Sequence, residues 1–196
     1  GRTAVQATSL PLDVGAYSIS PDGRTLIVAL EVYTACQDDL ECTAGEVAER
    51  EASPETGQIY DRVFVRHWDT WEDGRRNHLY ALDLDAQGVA TGPARGVMHG
   101  FDGDTPSVPF GDESEFAFTP DGEAVVFSAR EAGQSEPWST NFDLYRAPLT
   151  GGSGIENLTD ANDAWDTGPV FSPDGRTMAY RAMARPGFEA DKFAIF

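Results

Sequence analysis

Short apolar runs separated by turns rich in Gly, Pro and Asp recur along this chain. Three of these turns are nearly identical: "SPDGRT" at 20–25, "TPDGEA" at 119–124 and "SPDGRT" at 172–177. Pro presets the backbone for the second position of a tight turn, Asp can bond back to the backbone, and Gly accepts a left-handed conformation. Because apolar runs flank each copy, the pattern predicts strand, turn, strand three times.

The spacing of the turns predicts the size of the repeat. Pro120 and Pro173 are roughly 50 residues apart, and Pro21 and Pro120 roughly 100. Further β-like runs follow each hairpin, and no fourth turn of this kind occurs in the longer gap, so that gap fits one repeat with a large insertion. Four-stranded repeats of this length are typical of β-propeller blades. We therefore predict an all-β fold of about three four-stranded antiparallel blades.

The predicted domain is one partial β-propeller over residues 1–196. Its blades span 14–100, 115–159 and, as a partial blade, 168–196, with an insertion at 34–77 in the first. Closed propellers usually have about 4–8 blades. We therefore expect a fragment of a larger propeller, whose exposed edges favour pairing with a second copy in a homo-oligomer.

The insertion has two halves of different character. The first is acidic and poor in large apolar residues, with one short helix near 44–52, which predicts an exposed excursion. The second, at 63–84, alternates apolar and polar residues on both sides of a "DG" turn at 73–74, which predicts a long projecting hairpin. Five residues crowd near its tip: Arg66, His67, Trp68, Asp69 and Trp71.

These tip residues are candidates for gripping a peptide. Trp offers apolar area, and Arg can reach a carboxylate or a carbonyl. The alternative is structural: Trp68 and Trp71 cover the blade, and Arg66 pairs with Asp69. His67 taken alone fits a hydrogen-bonded structural histidine better than a catalytic one.

Two cysteines, Cys36 and Cys42, lie close together in a polar stretch. A zinc site would need two more soft ligands, and none of His67, His78 or His99 has the spacing of a second pair. We predict no metal and no cofactor, and a small local disulfide, with two free thiols as the alternative. Such a bond could not form in a reducing cytosol.

Charge and hydropathy exclude some classes of partner. The chain has 14 basic and 33 acidic residues and a formal net charge of −19, whereas a phosphate backbone is bound by clustered Lys and Arg. Nucleic acid and anionic membranes are therefore not expected as partners. No run approaches the roughly 18 apolar residues of a membrane span. The composition and the predicted disulfide fit a periplasmic or secreted globular protein.

A family resemblance rests on three stretches. "FSPDGRTMAYRAM" (171–183) resembles the propeller repeat of TolB and of the N-terminal domains of the prolyl oligopeptidase family of serine peptidases. The stretches 59–84 and 181–196 resemble the bacterial dipeptidyl-peptidase and acylaminoacyl-peptidase branch of that family. This implies the propeller part of a secreted serine exopeptidase, with a peptide substrate and its own C-terminal hydrolase domain as partners. The alternative is a non-enzymatic, TolB-like propeller that binds a protein.

The resembled peptidases keep their Ser, Asp and His in a hydrolase domain that follows the propeller, with the Ser in a G-x-S-x-G elbow. This sequence has no such elbow. The nearest match, "GGSGI" at 151–155, has Ile155 where the final Gly must stand. We therefore assign no catalytic residue and expect the chain alone to be inactive.

An exopeptidase that acts from a free N terminus needs an anion to receive the substrate ammonium, because an unpaired, desolvated charge is costly. In "ARPGFEADKF" (184–193), Glu189 is the first candidate and Asp191 the second, with Arg185 as the partner that holds the carboxylate. The alternative is that both acids are solvated loop residues.

Overall fold

The structure, a computed structural model, describes residues 4–61, 63–131 and 133–196. Within these ranges the chain forms three antiparallel sheets, one separate short hairpin and one α-helix, together with short 3-10 turns. The prediction of an all-β fold is confirmed.

The predicted insertion lies between two strands of the first sheet. Its strands are β1 (Val14–Ile19), β2 (Thr25–Tyr33), β5 (Arg75–Leu84) and β6 (Ala90–Gly96), hydrogen-bonded in that order. Between β2 and β5 lie α1 (Leu40–Ala52) and a hairpin made of β3 (Arg66–His67) and β4 (Thr70–Trp71).

The other two sheets follow along the chain. The second consists of β7 (Phe116–Phe118), β8 (Ala124–Ala129), β9 (Asp143–Pro148) and β10 (Glu156–Asn157). The third consists of β11 (Asp166–Phe171), β12 (Met178–Ala182) and β13 (Ala194–Ile195). Neighbours along the chain pair antiparallel in both, and the described strands form no closed barrel. The architecture is that of a partial propeller-like domain.

Each of the three Pro-Asp-Gly turns joins the first two strands of a sheet. In the first turn, the Ser20 hydroxyl donates to Asp22 Oδ1 at 2.7 Å, and Gly23 has a φ of 72°. The same bond closes the other two turns at 2.6 Å, between Thr119 and Asp121 and between Ser172 and Asp174. These side-chain hydrogen bonds lower the pKa of all three aspartates. The predicted turns are confirmed.

The central strands of the first sheet, β2 and β5, are buried on both faces. Because side chains alternate along a strand, Ile27 and Leu79 face one side, where they pack in one core with Phe127 of the second sheet. Val28 and Tyr80 face the other side, toward the N-terminal segment and α1. Full burial of each such aliphatic side chain stabilises the fold by roughly 1.5–3 kcal/mol.

The predicted disulfide between Cys36 and Cys42 is present, with its sulfur atoms 1.99 Å apart. It ties the turn after β2 to the first turn of α1. Asp39 caps the same helix, because its Oδ1 accepts the Cys42 N–H at 3.1 Å. The helix therefore begins at Leu40, earlier than the sequence pattern near 44–52 indicates.

No helix within the described ranges is long and apolar enough to cross a membrane.

The hairpin in the insertion differs from the predicted one. Its turn lies at Trp68 and Asp69, where Trp68 has a φ of 54°, and not at the "DG" of 73–74. Asp73 instead accepts the Arg75 N–H at 3.0 Å and the Arg75 Nε–H at 2.7 Å. The "DG" pair thus leads the chain into β5, and the projecting hairpin is short.

The third turn packs against the second, and this can be tested with Gly175→Ala. A Cβ at position 175 would lie 2.8 Å from the Pro120 Cβ, whereas a Cβ at position 23 would meet nothing within 4 Å. Both glycines have positive φ, so alanine costs roughly 1–2 kcal/mol at either site. Gly175→Ala should cost about 1–3 kcal/mol more than Gly23→Ala, from overpacking. The free energy of unfolding of both variants can be measured by chemical denaturation, and equal losses would contradict the packing of the third turn against the second.

Candidate functional site

A cleft of about 560 Å³ opens between the insertion and the neighbouring ends of the first two sheets. The insertion supplies one wall, which includes Tyr60 and Phe64, and Arg76, Asp102 and Glu136 supply the floor. The cleft is therefore lined by aromatic, basic and acidic groups together.

The hairpin tip is attached to the cleft wall by stacked rings. Tyr60 stacks on Trp71 with centroids 6.4 Å apart, and Phe64 stacks on His67 at 4.8 Å. The Arg66 guanidinium lies over the Trp71 ring at 5.4 Å. His67 and Trp71 thus contact wall residues of the cleft, and Arg66 contacts Trp71, but none of the three lines the cleft itself.

The other two tip residues form the turn. Trp68 meets Phe110 edge-on at 5.8 Å, and Asp69 is exposed beside it. The tryptophans do not cover the sheet, since Trp68 is 73% and Trp71 60% exposed. Their open apolar area is available for contact with another molecule.

An ionic network forms the floor, and no sequence motif announced it. Arg76 donates to Asp104 at 2.8 Å, to Glu136 at 2.9 Å and to Asp102 at 3.1 Å. Burial lowers the pKa of Arg76, but its hydrogen bond to Glu136 and the neighbouring carboxylates raise it overall. A charge in this position requires its partners, because a buried unpaired ion is strongly destabilising.

Two further charged groups border this network. Glu72 is half-buried in the cleft lining, where burial and the charge of Asp104 raise its pKa. Arg130 lies over the Phe142 ring at 4.8 Å and donates to the Ser139 carbonyl at 2.7 Å. Acids outnumber bases at the floor, so this cleft favours positively charged ligand groups.

The loop that carries the other predicted residues is held by Asp191. Its carboxylate accepts the N–H groups of Ala184 and Arg185 at 3.1 and 3.0 Å, and the Arg185 guanidinium at 2.8 Å. The Asp191 side chain is only 7% exposed. Hydrogen bonding to Arg185 holds its pKa well below the usual range. Asp191 and Arg185 therefore build the loop.

Glu189 stands apart from this arrangement. It is exposed at the turn of the loop, and no hydrogen bond or ion pair to its carboxylate occurs among the described residues. The loop below it is anchored, since the Gly187 N–H donates to the Thr140 hydroxyl at 2.8 Å and Phe188 packs under Arg185 at 4.2 Å. Of the two predicted acids, only Glu189 is free to meet a ligand.

One segment connects the loop with the cleft. Glu136 lies in the cleft floor, and Thr140, a few residues further along the chain, accepts a hydrogen bond from the Gly187 N–H.

The described part of the chain contains no group of three or more His, Cys, Asp or Glu side chains that could hold a metal ion.

Known proteins of one kind resemble this chain. Dipeptidyl-peptidase 5 of Porphyromonas endodontalis is 33% identical over 201 residues, which cover 100% of the chain and 27% of that protein. Dipeptidyl-peptidase 5 of Porphyromonas gingivalis is 32% identical, with 72% and 20% covered. The chain belongs to the dipeptidyl-peptidase 5 family. A more distant relative is dipeptidyl-peptidase 4 of Giardia intestinalis, 26% identical over 97% of the chain and 28% of that protein. The chain spans between a fifth and about a quarter of these relatives. No family model matches it.

Arg76→Gln tests the ionic floor. The substitution leaves Asp104 buried without its cation and leaves Glu136 with Arg130 alone, at 3.6 Å, so we expect a loss of about 3–5 kcal/mol in the free energy of unfolding. The loss should shrink as the pH falls, because protonation removes the uncompensated charges. Arg24→Gln is the control, since that side chain is 84% exposed and should cost less than about 0.5 kcal/mol. A loss below about 1 kcal/mol for Arg76→Gln would contradict the buried network, because it would show that water screens the charges of Asp104 and Glu136.

Proposed function

We propose that this chain is the non-catalytic propeller part of a longer serine exopeptidase, of the dipeptidyl or acylaminoacyl type. The propeller limits access to short peptides and helps to bind them, and a hydrolase domain outside this chain supplies the catalytic triad. The similarity to dipeptidyl-peptidases along the full chain supports this assignment. So does the absence of a G-x-S-x-G elbow from the sequence.

One observation carries the assignment to a binding role. Glu189 presents an unpaired carboxylate from a loop whose backbone is already fixed by Asp191 and Thr140. A pre-organised anion binds a cation without the entropic cost of ordering a loop. The free amino group of a peptide is such a cation, and it can form an ion pair with this carboxylate.

The exposed tryptophans of the hairpin supply the apolar part of the same function. Trp68 and Trp71 offer flat surface, and Arg66 over Trp71 offers donors to a peptide carbonyl. Glu189 would receive the amino terminus, and the tip would contact the rest of the peptide.

The disulfide bears on the compartment. A bond such as that between Cys36 and Cys42 persists in oxidising surroundings and is rare in the cytosol. We therefore assign the protein to the periplasm or the exterior of the cell.

Glu189→Gln in the complete protein tests the binding role. The change keeps the shape and removes the charge, so kcat/KM for dipeptidyl substrates with a free amino terminus should fall about tenfold or more. Substrates with a blocked amino terminus should be hydrolysed as by the parent.

The matched control is Glu123→Gln, which neutralises an exposed acid in the second Pro-Asp-Gly turn. It should leave both substrate classes unaffected. If Glu189→Gln and the parent were equally active on free-amine substrates, the assignment of Glu189 would be wrong. If the complete protein hydrolysed neither substrate class, the peptidase assignment itself would fail.

A further inference from the structure

Arg130 lies between the cleft floor and the stretch 136–142, which we call the support segment. It follows directly on β8, and its side chain is only 11% exposed. The guanidinium lies 3.6 Å from the Glu136 carboxylate and donates to the Ser139 carbonyl at 2.7 Å. It also covers the Phe142 ring, 4.8 Å from the centroid. One side chain therefore contacts the beginning, the middle and the end of the support segment.

The beginning of the support segment is part of the cleft. Glu136 accepts two hydrogen bonds from the Arg76 guanidinium, at 2.9 and 3.0 Å. The Arg130 guanidinium also lies 6.0 Å from the centroid of the Phe64 ring, which belongs to the cleft wall. Charged and aromatic contacts thus connect the support segment to both the floor and the wall of the cleft.

The middle of the support segment holds the loop that presents Glu189. Thr140 is 7% exposed, and its hydroxyl accepts the Gly187 N–H at 2.8 Å. Gly187 lies two residues before Glu189. Because Thr140 directly follows Ser139, whose carbonyl Arg130 binds, the position of this acceptor depends on Arg130.

The end of the support segment holds both ends of the same loop. Phe142 stacks on Trp165 with centroids 4.5 Å apart, and the Trp165 carbonyl accepts the Met183 N–H at 2.8 Å. Trp165 also meets Phe193 edge-on at 6.0 Å. Met183 precedes the loop and Phe193 ends it, so the stacked rings fix where the loop leaves and rejoins the third sheet.

We propose that Arg130 is a positioning residue for Glu189. It fixes the support segment and thereby the place at which the loop presents its carboxylate to a ligand. This inference rests on the proposed role of Glu189 as the group that receives the amino terminus of a peptide. Arg130 acts through the support segment and not by contact with the ligand.

Arginine can make this set of contacts, whereas lysine cannot. The planar guanidinium donates in several directions while its face covers a ring, but the lysine ammonium is a single point charge on a flexible stem. Lysine at position 130 would keep a positive charge near Glu136 and lose the simultaneous contacts with Ser139 and Phe142. Arg130→Lys therefore separates the positioning contacts from the charge.

Arg130→Lys in the complete protein tests the proposal. The loop would hold Glu189 less precisely, so KM for dipeptidyl substrates with a free amino terminus should rise about threefold or more, with kcat nearly unchanged. Substrates with a blocked amino terminus should keep the KM of the parent. A variant that is merely less stable would contain less active enzyme, which lowers kcat for both substrate classes in proportion and leaves each KM unchanged.

Arg146→Lys is the matched control, because Arg146 lies half-buried on β9 and is not among the residues that line the cleft. It should leave both KM values unchanged. A rise of KM in this control equal to that in Arg130→Lys would overturn the proposal.

Glu189→Gln provides the background that identifies the route of the effect. Once that carboxylate is neutral, Arg130→Lys should have no further effect on the ratio of the two KM values, since residues that act through one group are not additive. Independent effects in the double variant would overturn the proposal. If Glu189→Gln alone changed neither KM, the proposed binding role would fail, whereas the placement of the loop by Arg130 is measured separately by amide exchange.

Hydrogen exchange of the peptide 184–193 supplies that measurement without any substrate. In the complete protein, Arg130→Lys should accelerate exchange in this peptide about threefold or more, because the Gly187 N–H loses its fixed acceptor. Exchange in β2 should stay as in the parent. Unchanged exchange of the loop peptide would overturn the proposal.

Thr140→Val tests the same connection if Arg130→Lys does not fold. The change removes the acceptor of the Gly187 N–H and leaves Arg130 in place. It should raise KM for free-amine substrates and accelerate exchange of the loop peptide, as Arg130→Lys does. If Thr140→Val matched the parent in both measurements, the support segment would not position the loop, and the proposal would be wrong.

Discussion

The hydroxyl-to-aspartate bond that closes each Pro-Asp-Gly turn is the contact from which the sheets are built. In the first turn the Ser20 hydroxyl oxygen also accepts the N–H groups of Arg24 and Thr25, at 3.2 and 2.9 Å. The turn thereby fixes the register in which Ile19 opposes Leu26. A slip of one residue would turn every core side chain to the opposite face. Because the second and third turns have the same bond, each sheet starts from the same local geometry.

The second constraint is charge, since the chain has a formal net charge of −19. Each carboxylate therefore needs solvent, hydrogen-bond donors or a cation to stabilise it. Turn aspartates are stabilised as anions by hydroxyl and backbone donors, and Asp191 by Arg185. Asp104 lies at the cleft floor with Arg76 as its cation. Asp143 and Asp166 are bonded by neutral groups, the amides of Asn157 and Asn162. The same residue type thus lies in settings that shift its pKa in opposite directions.

Local signals allowed much of the fold to be predicted, whereas long-range contacts escaped. The three turns and the disulfide are specified by residues a few positions apart, and both are present. The hairpin in the insertion was predicted around the "DG" at 73–74, which has the stronger turn chemistry, but ring stacking of Phe64 with His67 and of Tyr60 with Trp71 favours a turn at Trp68.

The candidate site divides in the same way. Glu189 and the hairpin tip could be named from short motifs, although their roles remain predictions. Arg76 could not, because its partners are 26, 28 and 60 residues away along the chain. Only the stacking of the first two sheets brings these groups together, and no periodicity in the sequence reports that packing.

The way in which the insertion is attached to the first sheet allows its length to vary during evolution. The paired strands β2 and β5 stay in register up to Tyr33 and Arg75, which face each other where the insertion leaves and rejoins the sheet. The sheet itself therefore closes the loop, and the entropic cost of a longer or shorter insertion grows only slowly with its length. A segment held in this way can be exchanged or resized without disturbing the frame beneath it. The lining of the cleft can thus change without loss of the fold.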